Sequence, residues 1–391
     1  MKKKILSALL CATMVITMVA GCGAKPAAET GSSDSKDTKT EASAGIAAED
    51  IKIGFVHVSD ASDMGYTYNH DLGTKEMQEE LGISDDQIIN KFNVPEGAEC
   101  DTALRELVDA GCNIIFATSF GFEDYVKEVA AEYPDIQFCH ATGFQAASSE
   151  LSNMHNYFAS IYEARYLAGI AAGLKTESNK LGYVAAFPFA EVISGYSAFY
   201  LGAKSVNPDV TMDIMYTNSW NDPTVESQVA KALIERGCDV ISQHSDSTAP
   251  ATTAEEYGAY QVGYNNDMID AAPKASLISA RIDWGIYVTD AVRNVIEGKE
   301  IPVDWCKGLA DGAVYLSPLN EDIAAEGTQE AIDKAAEAIK AGELQVFAGP
   351  LKGVNPDGEE IEVAEGDYFK EQVDASAPAW NYIIDGCNVV E

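Results

Sequence analysis

Two stretches of the chain share one pattern, and this pattern restricts the fold to a small set. Residues 101–120, DTALRELVDAGCNIIFATSF, align without a gap with residues 227–246, SQVAKALIERGCDVISQHSD. Each stretch predicts an amphipathic helix, a Gly-Cys turn and a buried strand, with Gly111 and Gly237 where a helix ends. A helix followed by a fully apolar strand is typical of a parallel sheet covered by helices. The two units therefore predict two similar α/β lobes.

The alternation of strand and helix signals continues through the chain after residue 50. Short apolar or β-branched runs that predict strands are IKIGFVHV, QIINKFNV, NIIFAT, IQFCHA, KLGYVAA, TMDIMYT, DVISQH and ASLISARI. Amphipathic stretches that predict helices lie at residues 70–81, 101–110, 121–132, 157–174, 191–206 and 224–236. About 340 residues follow residue 50, which is more than one ordinary hydrophobic core organises, so two domains are expected.

The first residues predict export and lipidation. A short cationic start precedes an apolar run over residues 5–20, which is typical of a secretion signal. The run is near the lower limit for crossing a bilayer, which argues against an uncleaved anchor. The sequence VAGC at residues 19–22 resembles the lipobox of bacterial lipoproteins, whose cysteine becomes the lipidated mature N-terminus. We expect a signal peptide over residues 1–21 and a lipid on Cys22 that holds the protein at the extracytoplasmic face of the cell membrane.

Residues 22–50 predict a flexible tether between this lipid and the folded body. After Cys22 they contain one isoleucine and otherwise mainly Ala, Gly, Ser, Thr and charged residues. Such a segment buries too little apolar surface to offset the entropy of an ordered chain.

The cysteines of the body show no CxxC pair and no ladder of disulfide spacings. Cys112, Cys139 and Cys238 lie in or beside apolar runs. We therefore expect these three to be buried free thiols.

Several classes of function are excluded by charge and by motif. A formal net charge of −36 at pH 7 makes nucleic acid a poor partner. The chain has no GxSxG elbow, no HExxH pair and no P-loop, and its five histidines lack metal-ligand spacing. His244 stands near Asp246, but neighbours in an extended loop do not generally point at one another. We expect no catalytic residue, no metal and no cofactor.

The loops that follow the predicted strands carry aromatic residues beside hydrogen-bond acceptors. In parallel sheets, ligands bind beyond the carboxyl ends of the strands. Aromatic faces stack on flat ligands, with about 1–3 kcal/mol for each stacked base, and carboxylates accept hydrogen bonds from ligand amines and hydroxyls. A nucleobase and a sugar both fit this chemistry. The candidate ligand-binding residues are Asp63, Tyr66, Phe120, Trp220, Asp246, Asp283 and Trp284.

Taken together, the motifs resemble the basic membrane protein family, the PnrA-like lipoproteins that serve ABC transporters as purine nucleoside receptors. The resemblance covers essentially the whole body and rests on the lipobox, DMGYTYNHDLG, TSFGF, YEARYLAG, SWNDP, QHSDS and IDWGIY. It implies a type I periplasmic-binding-protein fold, in which two parallel-sheet α/β lobes are joined by a multi-strand hinge. The N-terminal lobe is expected over residues 51–156 and about 277–308, and the C-terminal lobe over about 157–276 and 309–391.

The resemblance also implies roles for particular residues. The family holds a purine between two aromatic rings, whose positions match Tyr66 and Trp220, and an acidic residue that faces the ribose matches Asp267. The segment SARIDWG lacks the lysine that contacts ribose in nucleoside-binding members. It resembles the branch with a Trp-Gly pair, for which a free base such as adenine is expected.

The resulting hypothesis is a receptor that delivers a purine base or nucleoside to the permease and ATPase of an ABC importer. Two alternatives stay open on sequence alone. One is a surface nucleoside hydrolase that uses the acidic loops. The other is a ligand sensor that signals without transport.

Overall fold

The computed structural model of the chain describes residues 45–371 and 375–391. The predicted signal peptide, the lipidation site Cys22 and the tether up to residue 44 lie outside the described residues. Within the described ranges, no helix is both long and apolar enough to cross a membrane.

The described strands and helices alternate over most of the chain. The strands are β1 (Ile53–Val56), β2 (Ile88–Lys91), β3 (Ile114–Ala117), β4 (Gln137–Ala141), β5 (Met154–Ala159), β6 (Lys180–Ala185), β7 (Thr211–Tyr216), β8 (Val240–Gln243), β9 (Tyr260–Tyr264), β10 (Ser276–Ile282), β11 (Asp304–Lys307), β12 (Val314–Leu316), β13 (Leu351–Val354), β14 (Glu360–Val363), β15 (Ile383–Ile384) and β16 (Cys387–Val389). The helices are α1 (Tyr66–Leu81), α2 (Ala98–Asp109), α3 (Glu123–Glu132), α4 (Ala146–Ser149), α5 (Ile161–Lys175), α6 (Ala190–Val206), α7 (Pro223–Glu235), α8 (Ala249–Tyr257), α9 (Trp284–Glu297) and α10 (Thr328–Lys340).

The first lobe is built on a six-stranded sheet in the order β11-β5-β4-β3-β1-β2, and every neighbouring pair is parallel. One face packs on α2 and α3 through residues such as Leu104 and Val126, which are fully buried. The other face packs on α1 and α9. Covering a parallel sheet on both faces explains why its strands read as continuous apolar runs.

The second lobe repeats this plan with a seven-stranded sheet in the order β12-β10-β9-β8-β6-β7-β16. Only the edge strand β12 runs antiparallel to its neighbour. Helices α7 and α8 cover one face, and α5 and α6 the other. A small antiparallel sheet, β14-β13-β15, lies near the C-terminal end of the chain. Two parallel α/β lobes confirm the predicted type I architecture.

The aligned pair of stretches occupies equivalent places in the two lobes. Each stretch forms a helix, α2 or α7, followed by a strand, β3 or β8. This strand pairs with the first strand of its sheet, which is β1 or β6. Gly111 and Gly237 have φ values of 83° and 96°, which L side chains rarely adopt. Cys112 and Cys238 are buried free thiols, and Cys139 is a third, as the sequence predicts.

The chain crosses between the lobes three times in its described part. It leaves the first sheet after β5, returns between β10 and α9, and crosses again between β11 and β12. The first two crossings come later than the predicted boundaries at 156 and about 277. Residues 157–159 still pair in the first sheet, and residues 277–282 pair in the second. The chain completes the hydrogen bonds of each strand before it crosses to the other lobe. The boundary between the lobes therefore lies at the carboxyl end of the strand.

Candidate functional site

The carboxyl ends of both parallel sheets open into the cleft between the lobes, where ligands bind in sheets of this kind. A cavity of about 20 Å³ lies there, which is room for about one water molecule. Benzene binds in a protein cavity on the order of 150 Å³, so a planar ligand enters this one only when its walls move apart. The wall residues are Val58, Tyr66, Thr118, Ser119, Phe120, Thr142, Glu191, Trp220, His244, Asp246 and Tyr264.

Tyr66 is the first residue of α1, and its ring lies on the cavity wall. The helix begins at this point because the carboxylate of Asp63 accepts hydrogen bonds from the backbone N–H groups of Gly65, Thr67 and Tyr68 at 2.9, 2.9 and 3.0 Å. These N–H groups have no partner inside the helix, so a capping oxygen stabilises its start. The sequence predicts Asp63 as a ligand residue. In the structure, it caps the start of α1 and so positions Tyr66.

Trp220 lies half-buried in the loop after β7, on the opposite lobe. Its ring packs against Phe187 and Phe189, with centroid distances of 5.0 and 6.1 Å. Its indole Nε1 donates a hydrogen bond of 3.2 Å to Oε2 of Glu96, which belongs to the first lobe. Trp220 is therefore both a wall of the cavity and a link across the cleft.

Phe120 follows β3 and stacks across the cleft on Phe189, with ring centroids 4.8 Å apart and an angle of 28° between the rings. Phe122, two residues later, is fully buried in the core of the first lobe. An open cleft of about 910 Å³ adjoins the small cavity and shares Phe120, Thr142 and Glu191 with it. Phe120, Thr142 and Glu191 therefore lie between the small cavity and the open cleft.

The floor of the cavity in the second lobe is a buried polar cluster. Nε2 of His244 lies 3.3 Å from Oε1 of Glu191, and its Nδ1 lies 3.3 Å from the guanidinium of Arg165. Arg165 also stacks over the ring of Tyr264, with 3.7 Å from Cζ to the ring centroid. Burial raises the pKa of Glu191 to about 8, although the charge of Arg165 opposes the rise. Burial and the same charge hold the pKa of His244 well below its usual range.

Asp246 follows β8 and lies at one of the contacts between the two lobes. Burial raises the pKa of its carboxyl well above the usual range, and the nearby carboxylates of Asp63 and Glu226 add to the rise. A Cβ atom on Gly65 of the first lobe would lie 1.6 Å from the backbone oxygen of Asp246. The lack of a side chain at Gly65 therefore permits contact between the two backbones.

Besides Asp63, three of the predicted residues are not part of the cavity wall. Trp284 is 1% exposed and stacks on His70 at 4.1 Å, so it packs behind the wall that Tyr66 forms. Asp283 faces Glu76, whose pKa is raised to about 7 by burial and by this neighbouring carboxylate. Asp267 accepts a hydrogen bond of 3.0 Å from the backbone two residues further on. None of the three belongs to the described residues that form the cavity wall.

Sequence reasoning missed the individual importance of Glu191 and Tyr264. Glu191 is the second residue of α6, and its place shortly after the carboxyl end of β6 is the signal that could have identified it. Tyr264 is the last residue of β9, and its hydroxyl is buried with no hydrogen-bond partner among the described residues. A buried hydroxyl without a protein partner is suited to contact a ligand.

Two α/β lobes with a cavity between their strand ends define a solute-binding protein of the type I class. A family described as "ABC transporter substrate-binding protein PnrA-like" matches residues 50–347. The chain belongs to this family, as the resemblance in its motifs indicates.

Relatives agree with this assignment. A purine-binding protein of Brucella abortus is 38% identical over 310 residues, which are 78% of this chain and 85% of the relative. A putative ABC transporter glucose-binding protein of Haloferax volcanii is 33% identical over 85% of this chain and 82% of its own length. A solute-binding protein structure from Aeropyrum pernix superimposes with a TM-score of 0.65 at 19% identity, over 77% of this chain and 94% of that one.

The raised pKa of Glu191 predicts a loss of stability at higher pH. The ordinary pKa of this carboxyl group is 4.5 and its pKa in the folded protein is about 8. Between pH 4.5 and about 8, the folded protein therefore holds a proton that the unfolded chain has released. The free energy of unfolding should therefore fall over this range, by up to about 1.4 kcal/mol for each pH unit. Glu191→Gln should remove this part of the slope in urea unfolding from pH 5 to 9. An unchanged slope in the variant would show that Glu191 ionises freely in the folded state.

Proposed function

We propose that this protein is an extracytoplasmic receptor that binds an adenine-type purine and delivers it to an ABC importer. The observation that carries the proposal is the cavity between the lobes, with aromatic walls from both sides and two buried carboxyl groups. Phe120 and Tyr66 come from the first lobe and Trp220 from the second. The carboxyl groups are those of Glu191 and Asp246.

The protonation of these carboxyl groups favours adenine over oxopurines. Because burial raises the pKa of Glu191 to about 8, this carboxyl group is largely neutral near pH 7, and burial also raises the pKa of Asp246 well above its usual range. A neutral carboxyl group offers an O–H donor beside a carbonyl acceptor. Adenine presents a matching pair in its N7 acceptor and its amino donor, whereas guanine presents two acceptors at the same edge. The Brucella relative, named for purine binding, supports the same ligand class.

The other parts of the proposal concern the transport assembly. The family consists of substrate-binding proteins of ABC transporters, which supports a permease and an ATPase as partners. The lipobox at Cys22 supports anchoring to the extracytoplasmic face of the membrane through an N-terminal lipid. A sensor without transport and a surface nucleoside hydrolase are the rival functions.

A ligand panel tests the proposed substrate class. Adenine should raise the unfolding free energy by about 2.7 kcal/mol at 100 times its dissociation constant, as measured by thermal shift and calorimetry. Adenosine, guanine and glucose serve as comparisons, since the Haloferax relative is named for glucose. Binding of glucose alone would contradict the purine assignment. Release of free base from adenosine or inosine at enzymatic turnover would favour the hydrolase.

Gly65→Ala should impair closure of the lobes around the ligand. The added methyl group would lie 1.6 Å from the backbone oxygen of Asp246 in the closed arrangement. We expect adenine to bind roughly tenfold or more weakly, because the closed state that it stabilises becomes strained. Small-angle scattering should show a smaller ligand-induced compaction than for the original protein. Gly97→Ala is the matched control, since its methyl group would meet only the Glu99 carboxylate, at 3.1 Å. Equal compaction in both variants would contradict closure at this contact.

Trp220→Ala should weaken adenine binding through loss of stacking. The expected loss is about 1–3 kcal/mol, or roughly a five- to hundredfold rise in the dissociation constant. Trp220→Phe keeps an aromatic face and should lose less. The midpoint of thermal unfolding without added ligand should change little, because Trp220 is half-buried in a loop. A variant that binds adenine as before but melts much earlier would identify Trp220 as a packing residue.

A further inference from the structure

Glu96 lies in the segment between β2 and α2, and the first lobe fixes its carboxylate on one side. Its Oε1 accepts hydrogen bonds from the Ser119 hydroxyl at 2.7 Å and from the backbone N–H of Gly121 at 2.8 Å. The side chain also packs closely over Gly121, where an added Cβ would lie 2.7 Å from Cδ of Glu96. These contacts hold an otherwise exposed side chain at the edge of the cleft.

The second oxygen of the same carboxylate points across the cleft. Oε2 accepts the indole N–H of Trp220 at 3.2 Å, from the opposite lobe. Beside it, the side-chain amide of Asn221 donates a hydrogen bond of 2.9 Å to the hydroxyl of Ser59, again between the lobes. A hydrogen bond to a charged acceptor is stronger than one between neutral groups and fixes the orientation of its donor. Both bonds need partners from each lobe, so separation of the lobes breaks them.

The negative charge of Glu96 also acts on the cavity itself. It adds to the effects that raise the pKa values of Glu191 and Asp246, although burial is the larger cause for both. Glu96 therefore influences the cavity in two ways, through the position of Trp220 and through its charge. Trp220→Phe removes the hydrogen bond and keeps the charge of Glu96, whereas Glu96→Gln changes both.

We propose that Glu96 is a positioning residue for ligand binding: its carboxylate, anchored on the loop at Ser119 and Gly121, fixes the indole of Trp220 as a wall of the cavity when the lobes close. This inference rests on the proposed function, because the wall is assigned to a planar purine. The hydrogen bond between Trp220 and Glu96 then supports both the closure of the lobes and the stacking of the ligand. A ligand that stacks on Trp220 stabilises the arrangement that Glu96 holds.

Glu96→Gln is the variant that separates this role from a general effect on the fold. Its amide keeps one acceptor oxygen, while three donors face the site, so at least one hydrogen bond is lost. Glu99→Gln is the matched control, because it removes the same charge three residues further along, from an exposed side chain. Equal unfolding midpoints in both variants verify that the fold is intact.

The test is a double-mutant cycle with adenine as the probe, read by titration calorimetry. Glu96→Gln should weaken binding about three- to tenfold, and Glu99→Gln less than twofold. In a Trp220→Phe background, which lacks the indole N–H, Glu96→Gln should have little further effect. An equally large loss of adenine affinity in the Trp220→Phe background would overturn the role of Glu96. So would a Glu96→Gln variant that binds adenine as tightly as the original protein.

Tryptophan fluorescence gives a second readout that does not depend on a ligand. The chain has four tryptophans, and Trp284, Trp305 and Trp380 are only 1%, 7% and 0% exposed. Acrylamide quenching therefore reports mainly on Trp220 and should increase in Glu96→Gln but not in Glu99→Gln. Unchanged quenching in Glu96→Gln would contradict the proposed hydrogen bond. If the original protein binds no purine, the proposed function fails, while the quenching result still decides whether Glu96 holds Trp220.

Discussion

Parallel strand pairing places the residues of the candidate site at one edge of each sheet. Every strand of the first sheet, and every strand of the second except β12, runs parallel to its neighbours. Each connection must then cross the sheet through a helix, so the carboxyl ends of the strands gather at one edge. In this chain the two edges face each other across the cleft. Residues as distant in sequence as Tyr66, Phe120 and Trp220 thereby line one cavity.

A buried polar cluster gives this cavity its chemical character. Isolated charges are costly inside a protein, so buried ionisable groups pair or become neutral. Arg165 pairs with the carbonyl oxygen of Gln243 at 2.7 Å and with the ring of Tyr264, and next to it Glu191 and His244 are shifted toward their neutral forms. The floor therefore combines one buried guanidinium with neighbouring groups that are shifted toward neutral donors and acceptors.

The lobes are joined by more than a flexible linker. A single hydrophobic core runs from the α1 and α9 side of the first sheet to the α5 and α6 side of the second. Trp284, at the second crossing, packs in this core against His70 and Tyr157. At the rim of the cleft, the contacts between the lobes combine the stacking of Phe120 on Phe189 with hydrogen bonds. Those contacts include the bonds of Trp220 with Glu96 and of Asn221 with Ser59.

Local sequence patterns are sufficient to predict the two α/β lobes, most of their helices, the glycines that end α2 and α7, and the loops from which the cavity is built. These features follow from local periodicity and backbone preference. Tyr66, Phe120, Trp220 and Asp246 line the cavity because each follows the carboxyl end of a parallel strand. The tertiary structure was needed to show that Asp283 faces Glu76 instead of the cavity and that Glu96 reaches Trp220. Such roles depend on which groups a side chain meets across the fold, and no local pattern records partners that are more than a hundred residues apart.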